Sequence, residues 1–134
     1  MFLHLKSGET TFTRKALRKL NRAIKRYPLK KKPVVFTSNK TVLRKMAKYK
    51  WAKGFLCKKA GRKKVRDAID YAADHGCRYL LAPYRLKHKP TRPVVRYGHS
   101  KKLVMVYYGI RYMKRVRRVF RKGGDYIVTD KIFF

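Results

Sequence analysis

The stretch KPVVFTSNKTVLRKM (Lys32–Met46), continued by KGFLCKKAGRKK (Lys53–Lys64) and VRDAIDYAADHGCRYLLAPYR (Val65–Arg85), decides the fold. Pro33–Ser38 is rich in β-formers and reads as a strand. Thr41–Met46 reads as its hairpin partner, with Asn39-Lys40 at the turn; a helix over Lys40–Tyr49 competes, since TVLRKMAKY also has helical rhythm. Trp51–Cys57 reads as a third strand, with Trp51 in the core. Lys58–Lys64 is the densest cationic loop, and Gly61 at its centre permits close backbone approach. Val65–His75 follows as a helix, with Val65, Ala68, Ile69 and Ala72 on one face and Gly76 as its C-terminal stop. Cys77–Tyr84 is the next strand. The unit is a sheet-and-helix scaffold written in alternating apolar and cationic letters.

Outward from this unit the chain only becomes more basic. Thr11–Tyr27 reads as an amphipathic helix, with Phe12, Ala16, Leu17, Leu20, Ile24 and Tyr27 on one stripe, a threonine cap and Pro28 as its end. Its other faces carry seven cations and no acid, which repel at helical spacing unless an anion covers them. Leu29–Lys32 is a basic linker. Arg85–Arg96 reads as a long, Pro-containing basic loop. Lys101–Met113 fits either a strand or a buried helix ending at Gly109. Tyr112–Arg121 reads as a strand with cations outward, Gly123-Gly124-Asp125 as a turn, and Tyr126–Phe134 as a final strand. The division expected is 1–31 as a basic helical extension, 32–122 as an α/β RNA-binding core and 123–134 as a terminal strand.

The 134 residues suit one domain, and 45% hydrophobic content with 18 aromatics argues against disorder. Lys and Arg number 39 against 6 Asp and Glu, a net charge of +33. Solubility needs a magnitude of only roughly 2–8. Self-repulsion of this size calls for a polyanionic partner, and nucleic acid leads. No apolar run approaches the roughly 18 residues that span a bilayer, and the cations are spread too widely for one membrane-facing helix. The basic start resembles an organelle transit peptide, but Met1 is retained. Cys57 and Cys77 lack CxxC spacing and read as free buried thiols of a reducing compartment. His75, His88 and His99 are scattered, so no metal site is expected, and no cofactor. Asp67, Asp70 and Asp74 share one helix; they read as partners of nearby cations, not as catalytic carboxylates.

The order of elements resembles the small-subunit ribosomal protein eleven family. Asn39, Thr41 and Val42 stand where that family has N-N-T-[IV]. Gly54, Phe55, Gly61, Arg62 and Lys63 approximate its G-F-K-G-x-R-K loop. His75-Gly76 matches its helix ending in HG, and Gly98 to Gly109-Ile110 resembles its second helix. The resemblance covers about 33–120 and implies helix for Lys101–Tyr108. The family's P-G-x-G-R loop and its proline-rich tail are replaced here. The large-subunit ribosomal protein eighteen family shares the fold but stops near the second helix. What the resemblance implies is an α/β fold: a small mixed sheet with two packed helices, plus the basic N-terminal helix. It also implies a divergent, mitochondrial member, a non-enzymatic structural protein of the ribosome. Its partners would be small-subunit rRNA, neighbouring ribosomal proteins and mRNA, with no membrane; a cytoplasmic ribosome or a virion is the other location.

The phosphate contacts expected fall in clusters. Arg14, Arg18 and Arg22 lie on the first helix, and Lys40 and Arg44 follow the first strand. Lys58, Lys59, Arg62, Lys63 and Lys64 form the glycine loop. Arg85, Lys87, Lys89, Arg92, Arg96 and Lys101 belong to the long loop and its end, and Arg115 and Arg117 lie near the C-terminus. Arg62, Arg92 and Arg96 suit bidentate contact, and Trp51, Tyr84 and Tyr97 suit base stacking. Two other classes remain open. One is a viral or chromatin-like DNA-condensing protein. The other is an N-acetyltransferase fold, because KKAGRKK resembles the Q/R-x-x-G-x-G/A loop, although Lys58 and Lys63 depart from it.

Overall fold

The computed structural model describes residues 2–6, 11–26 and 33–129. Its strands are β1 (Phe2–His4), β2 (Val34–Thr37), β3 (Ala52–Leu56), β4 (Tyr79–Pro83), β5 (Val104–Tyr108) and β6 (Tyr126–Val128). Its helices are α1 (Arg14–Arg26), α2 (Lys40–Met46), α3 (Arg62–Asp74), α4 (Arg92–Ser100) and α5 (Met113–Arg121). The six strands form one sheet in the order of the sequence, and every neighbouring pair is parallel. Each pair of strands is joined through a helix. Parallel strands need such crossovers, and right-handed crossovers in unbroken order put all helices on one face. The sheet curls into a half-barrel with helices outside.

Two core layers follow from the alternation of side chains across the sheet. On the helix side, Phe55, Leu80, Ala82, Met105 and Tyr107 pack with Val65, Ile69, Val95 and Val119 of the helices. A second helix-side cluster joins Leu17 of α1 and Val42 and Met46 of α2 to Leu5, Val35, Tyr49 and Trp51. On the concave side, Phe36, Leu81 and Val106 are buried against half-buried Leu56, Tyr79, Val104, Tyr108 and Val128.

The expected small mixed sheet with two helices is therefore corrected to an all-parallel, six-stranded sheet with five helices among the described residues. Five local readings change with it. Thr41–Met46 is helical: the Asn39 side chain accepts from the Val42 amide at 3.0 Å, and Val42, Leu43 and Met46 are the buried face. The long loop ends at Thr91, where α4 begins with Pro93 in its first turn. Lys101–Tyr108, which the family resemblance made helical, holds β5; LVMVYY is a strand covered on both sides, so it lacks alternation. Tyr112–Arg121 is helical, because its buried residues Val116 and Val119 are three apart, not two. Phe2–His4, to which the sequence reading assigned no element, is an edge strand paired with β2.

Other readings stand. Leu17 is buried, with Phe12, Leu20 and Ile24 packed around it, and the Thr13 hydroxyl caps α1 through the Ala16 amide at 3.2 Å. Gly76 takes φ +66° after α3, where the Cys77 amide reaches the Ala72 carbonyl at 2.9 Å. Trp51 is buried, and its indole N–H donates to Asn21 at 3.0 Å. Both cysteines are free and buried. Tyr27, Pro28, the linker Leu29–Lys32 and the last five residues of the expected final strand lie outside the described residues.

Candidate functional site

A sheet whose strands all run one way gathers the loops that follow them at one end, and this carboxyl end is where such folds place their sites. The residues arriving there are Leu5-Lys6 after β1, Ser38-Asn39 after β2, Cys57–Gly61 after β3, Tyr84–Pro90 after β4, Gly109–Tyr112 after β5 and Thr129 after β6. Among the described residues these segments contain no carboxylate. They do contain Lys6, Lys58, Lys59, Arg85, Lys87, Lys89 and Arg111. Such an end attracts anions and repels divalent cations. No group of three His, Cys, Asp or Glu suited to a metal exists among the described residues.

His4 is the one imidazole on the concave face at this end. It pairs in register with Phe36 and stacks on its ring, centroids 4.6 Å apart and planes 13° from parallel. Its Nε2 is closed off from solvent and has no hydrogen-bond partner among the described residues. Burial holds its pKa below the usual 6.5, and the positive charges of Lys6 and Lys58 push the same way. At neutral pH the ring is therefore uncharged and able to accept a proton. Across the sheet, the Tyr108 hydroxyl donates to the Cys57 carbonyl at 2.7 Å, which ties β5 to the loop carrying Lys58. Burial raises the Tyr108 pKa, while the charge of Arg85 opposes that rise. The arrangement offers ammonium and guanidinium groups for an anion, a phenol, and a neutral base.

A second concavity lies at the same end but outside the sheet, about 350 Å³ in volume. Gly61, Arg62 and Val65 of the α3 start line one side, and Thr91 and Val94 of the α4 start line another. The Leu86–Pro90 loop closes over it, turned by an isolated Arg85–His88 bridge. Tyr107 forms part of the wall; it is 3% exposed, and its hydroxyl has no partner among the described residues.

The phosphate contacts expected from sequence are dispersed by the fold. Lys58, Lys59, Arg85, Lys87 and Lys89 converge at the carboxyl end, and Arg62, Lys63 and Lys64 form the first turn of α3 beside them. Arg92 opens α4 and Arg96 follows within it, whereas Lys101 sits past its other end. Arg14, Arg18 and Arg22 lie on α1, Lys40 and Arg44 on α2, and Arg115 and Arg117 on α5. Several are engaged internally: Lys40 lies 4.4 Å from the Tyr71 ring centroid, Arg115 4.6 Å from that of Tyr112, and Lys101 3.7 Å from the Asp70 carboxylate. Asp70 also accepts from the Tyr97 hydroxyl at 2.6 Å, so this α3 carboxylate is structural. Asp125 likewise holds the Met105 amide at 2.7 Å and His99 at 2.9 Å. The sequence reading passed over His4, Lys6, Tyr107 and Tyr108. The pattern Leu3-His4-Leu5 before a lysine, a polar residue between two apolar ones, was the available signal for the first pair.

No family model matches the sequence, and no curated protein matches it. Solved structures do. A candidate glycerophosphoryl diester phosphodiesterase from Silicibacter pomeroyi superposes with a TM-score of 0.74 at 16% identity, over 96% of this chain and 46% of that one. A glycerophosphodiester phosphodiesterase from Parabacteroides distasonis gives 0.72 at 19% identity, over 96% and 52%. Another from Thermotoga maritima gives 0.67 at 15% identity, over 96% and 54%. The chain thus spans about half the length of these structures, and its fold is half of a TIM-type barrel. The likeness overturns the ribosomal protein eleven and eighteen resemblance, and with it the non-enzymatic structural role in translation. The rRNA, mRNA and ribosomal-protein partners and the ribosomal, mitochondrial location were read through that family and fall with it. The N-acetyltransferase fold is overturned by the same finding, and the DNA-condensing alternative, read from charge alone, gains no support from it. Among the described residues no helix is long and apolar enough to cross a membrane.

Proposed function

We propose that the chain acts on phosphoesters, with the carboxyl end of its sheet as the phosphoryl seat and His4 as the group that handles the proton. The observation that carries this reading is the His4 Nε2: enclosed, unpartnered among the described residues, and within reach of the Lys6 and Lys58 charges. An enclosed imidazole nitrogen without a partner is costly unless a ligand supplies one. A carboxylate-free, cationic rim favours a ligand that brings its own negative charge. The likeness of fold to glycerophosphodiester phosphodiesterases supports a glycerophosphodiester as the substrate class of this reading.

In this scheme Lys6 and Lys58 hold the non-bridging oxygens and stabilise the charge that grows on them in the transition state. A water oxygen bonds to phosphorus as its proton passes to His4 Nε2. The bond from phosphorus to one alcohol oxygen breaks, the departing alkoxide takes a proton from solvent, and the His4 imidazolium gives its proton back to solvent. General base catalysis of this kind is worth roughly 10²–10⁴-fold. The test is release of glycerol phosphate from glycerophosphocholine by the wild-type chain and by His4→Gln. A loss of about 10²-fold or more in kcat for the variant supports the reading. Equal rates in the two proteins, or no turnover together with no ³¹P shift of the diester on mixing, would refute it.

A further inference from the structure

We propose that the outer flank of α5, with the loop after β4 beside it, is a docking surface for an anionic lipid bilayer. Charge spread along the whole chain does not single out a face; exposed apolar side chains do. Among the described residues the large ones left exposed are Leu86, Tyr112, Met113, Phe120 and Tyr126. Four of them gather at α5. Tyr126 lies apart, paired in register with Val106, a residue of the concave side. Met113 and Phe120 are seven residues apart on one helix, which puts them on a single stripe. That stripe runs beside the one that Val116 and Val119 bury in the core. Phe120 shares a shallow concavity with Lys114, Arg117 and Arg121. Leu86 and Tyr112 line a neighbouring groove, and Lys114 lines that one as well. Exposed apolar residues scattered singly need no account, but a group rimmed by one kind of charge marks an interaction surface.

The charge at this group names the partner. Met113–Gly124 carries six lysines and arginines and no acid. Cations in such number on an amphipathic helix are drawn to anionic headgroups, and the apolar stripe beside them enters the acyl boundary. The helix would lie on the surface, since none among the described residues is long and apolar enough to cross a membrane. A nucleic acid would satisfy the cations but not the apolar residues. Its bases need free ring faces, whereas Arg115 already lies 4.6 Å from the Tyr112 ring centroid and 5.8 Å from that of Tyr84. Leu86 and Met113 offer no ring at all. A second copy of the chain would bring the same cations against this face and be repelled. A bilayer with anionic lipid supplies both the negative charge and the apolar cover.

The proposal rests on exposure and charge at α5, so it goes beyond the phosphoester reading and stands without it. The experiment sediments the full chain with vesicles of phosphatidylcholine, alone or with about 30% phosphatidylserine, at about 0.15 M salt, where charges beyond about 8 Å are screened. Binding is expected to the mixed vesicles and not to phosphatidylcholine alone. Phe120→Gln changes an exposed side chain and no charge, and is expected to weaken binding by about tenfold, the worth of taking a phenyl ring out of water. A net charge of +33 attracts any anionic surface, so two double variants that each remove two charges are compared. Arg117→Gln with Arg121→Gln, on α5, is expected to weaken binding several-fold more than Arg18→Gln with Arg22→Gln, on α1. His4→Gln is expected to bind as wild type does. The single native tryptophan, Trp51, is buried. The added indole of Phe120→Trp should therefore be quenched by lipids brominated on their acyl chains, while wild-type emission is not. The proposal is overturned if Phe120→Gln binds as tightly as wild type, if the two double variants weaken binding equally, or if Phe120→Trp escapes quenching. It is equally overturned if the α5 variants weaken binding of a single-stranded RNA oligonucleotide and leave vesicle binding intact.

Discussion

Replacing Tyr107 by Phe should make the empty protein more stable, not less. Tyr107 is 3% exposed and packs in the main core beside Leu103, Met105 and Val119. Gly124 leaves room for its ring edge, since a Cβ there would come within 3.2 Å of Cδ2. The ring is thus retained in Phe, and only the hydroxyl is lost. Leaving a buried polar group unpartnered costs about 1–3 kcal/mol. Removing it should recover about 1 kcal/mol after the small void it leaves is counted. With about 2.1 cal/mol/K per residue of unfolding entropy, 1 kcal/mol is a rise of roughly 3–4 °C in Tm for a chain of this size. Thermal and urea unfolding measure the shift. A Tyr107→Phe protein that is destabilised by 1 kcal/mol or more without ligand would refute the reasoning, because the hydroxyl would then have a partner.

His4→Gln should remove the acidic limb of the pH–rate profile. Burial and nearby cations depress the His4 pKa, so wild-type kcat/KM should rise with pH through a midpoint below 6.5 and the variant should not. Stability should fall above about pH 10. Tyr107 and Tyr108 have raised pKa values in the fold, so the unfolded chain ionises first and is favoured as pH rises; alkaline urea titrations should show this, less steeply in Tyr107→Phe. The Cys77 thiol is pushed up to about 11, chiefly by burial, so alkylation by iodoacetamide at pH 8 should be slow in the native protein and fast in urea. Gly98→Ala should destabilise by about 1–3 kcal/mol despite the better helix propensity of alanine, since its Cβ would clash with the buried Met105 side chain; urea midpoints measure it.

The helical faces were legible because their buried residues repeat at helical spacing. Val65, Ala68, Ile69 and Ala72 announced α3, and Leu17 with its neighbours announced α1. The architecture was not legible, for reasons visible in particular residues. Strands covered on both sides lose alternation, so Val104–Tyr108 looked as much like a buried helix as a strand. Short amphipathic helices such as Lys40–Met46 and Met113–Arg121 carry too few buried positions for their period to stand out between cations. Whether neighbouring strands run parallel depends on which connections are helical, so these errors turned a parallel half-barrel into a small mixed sheet. The family resemblance then rested on the same errors, because it matched a glycine-containing basic loop and a helix ending in HG, features common to many α/β chains. The net charge was read as demanding an anion. It could not reveal which cations converge, and the carboxyl end selects Lys58, Lys59 and Arg85 while leaving Arg14, Arg18 and Arg22 on an outer helix.

The most direct test of the phosphoester reading is the titration of the His4 imidazole by NMR, its resonance assigned through its absence in His4→Gln, with and without a glycerophosphodiester. The account predicts a midpoint below 6.5 in the free chain that rises when the diester binds, because the added negative charge favours the imidazolium. A midpoint at or above 6.5 that does not move on adding the diester would contradict it.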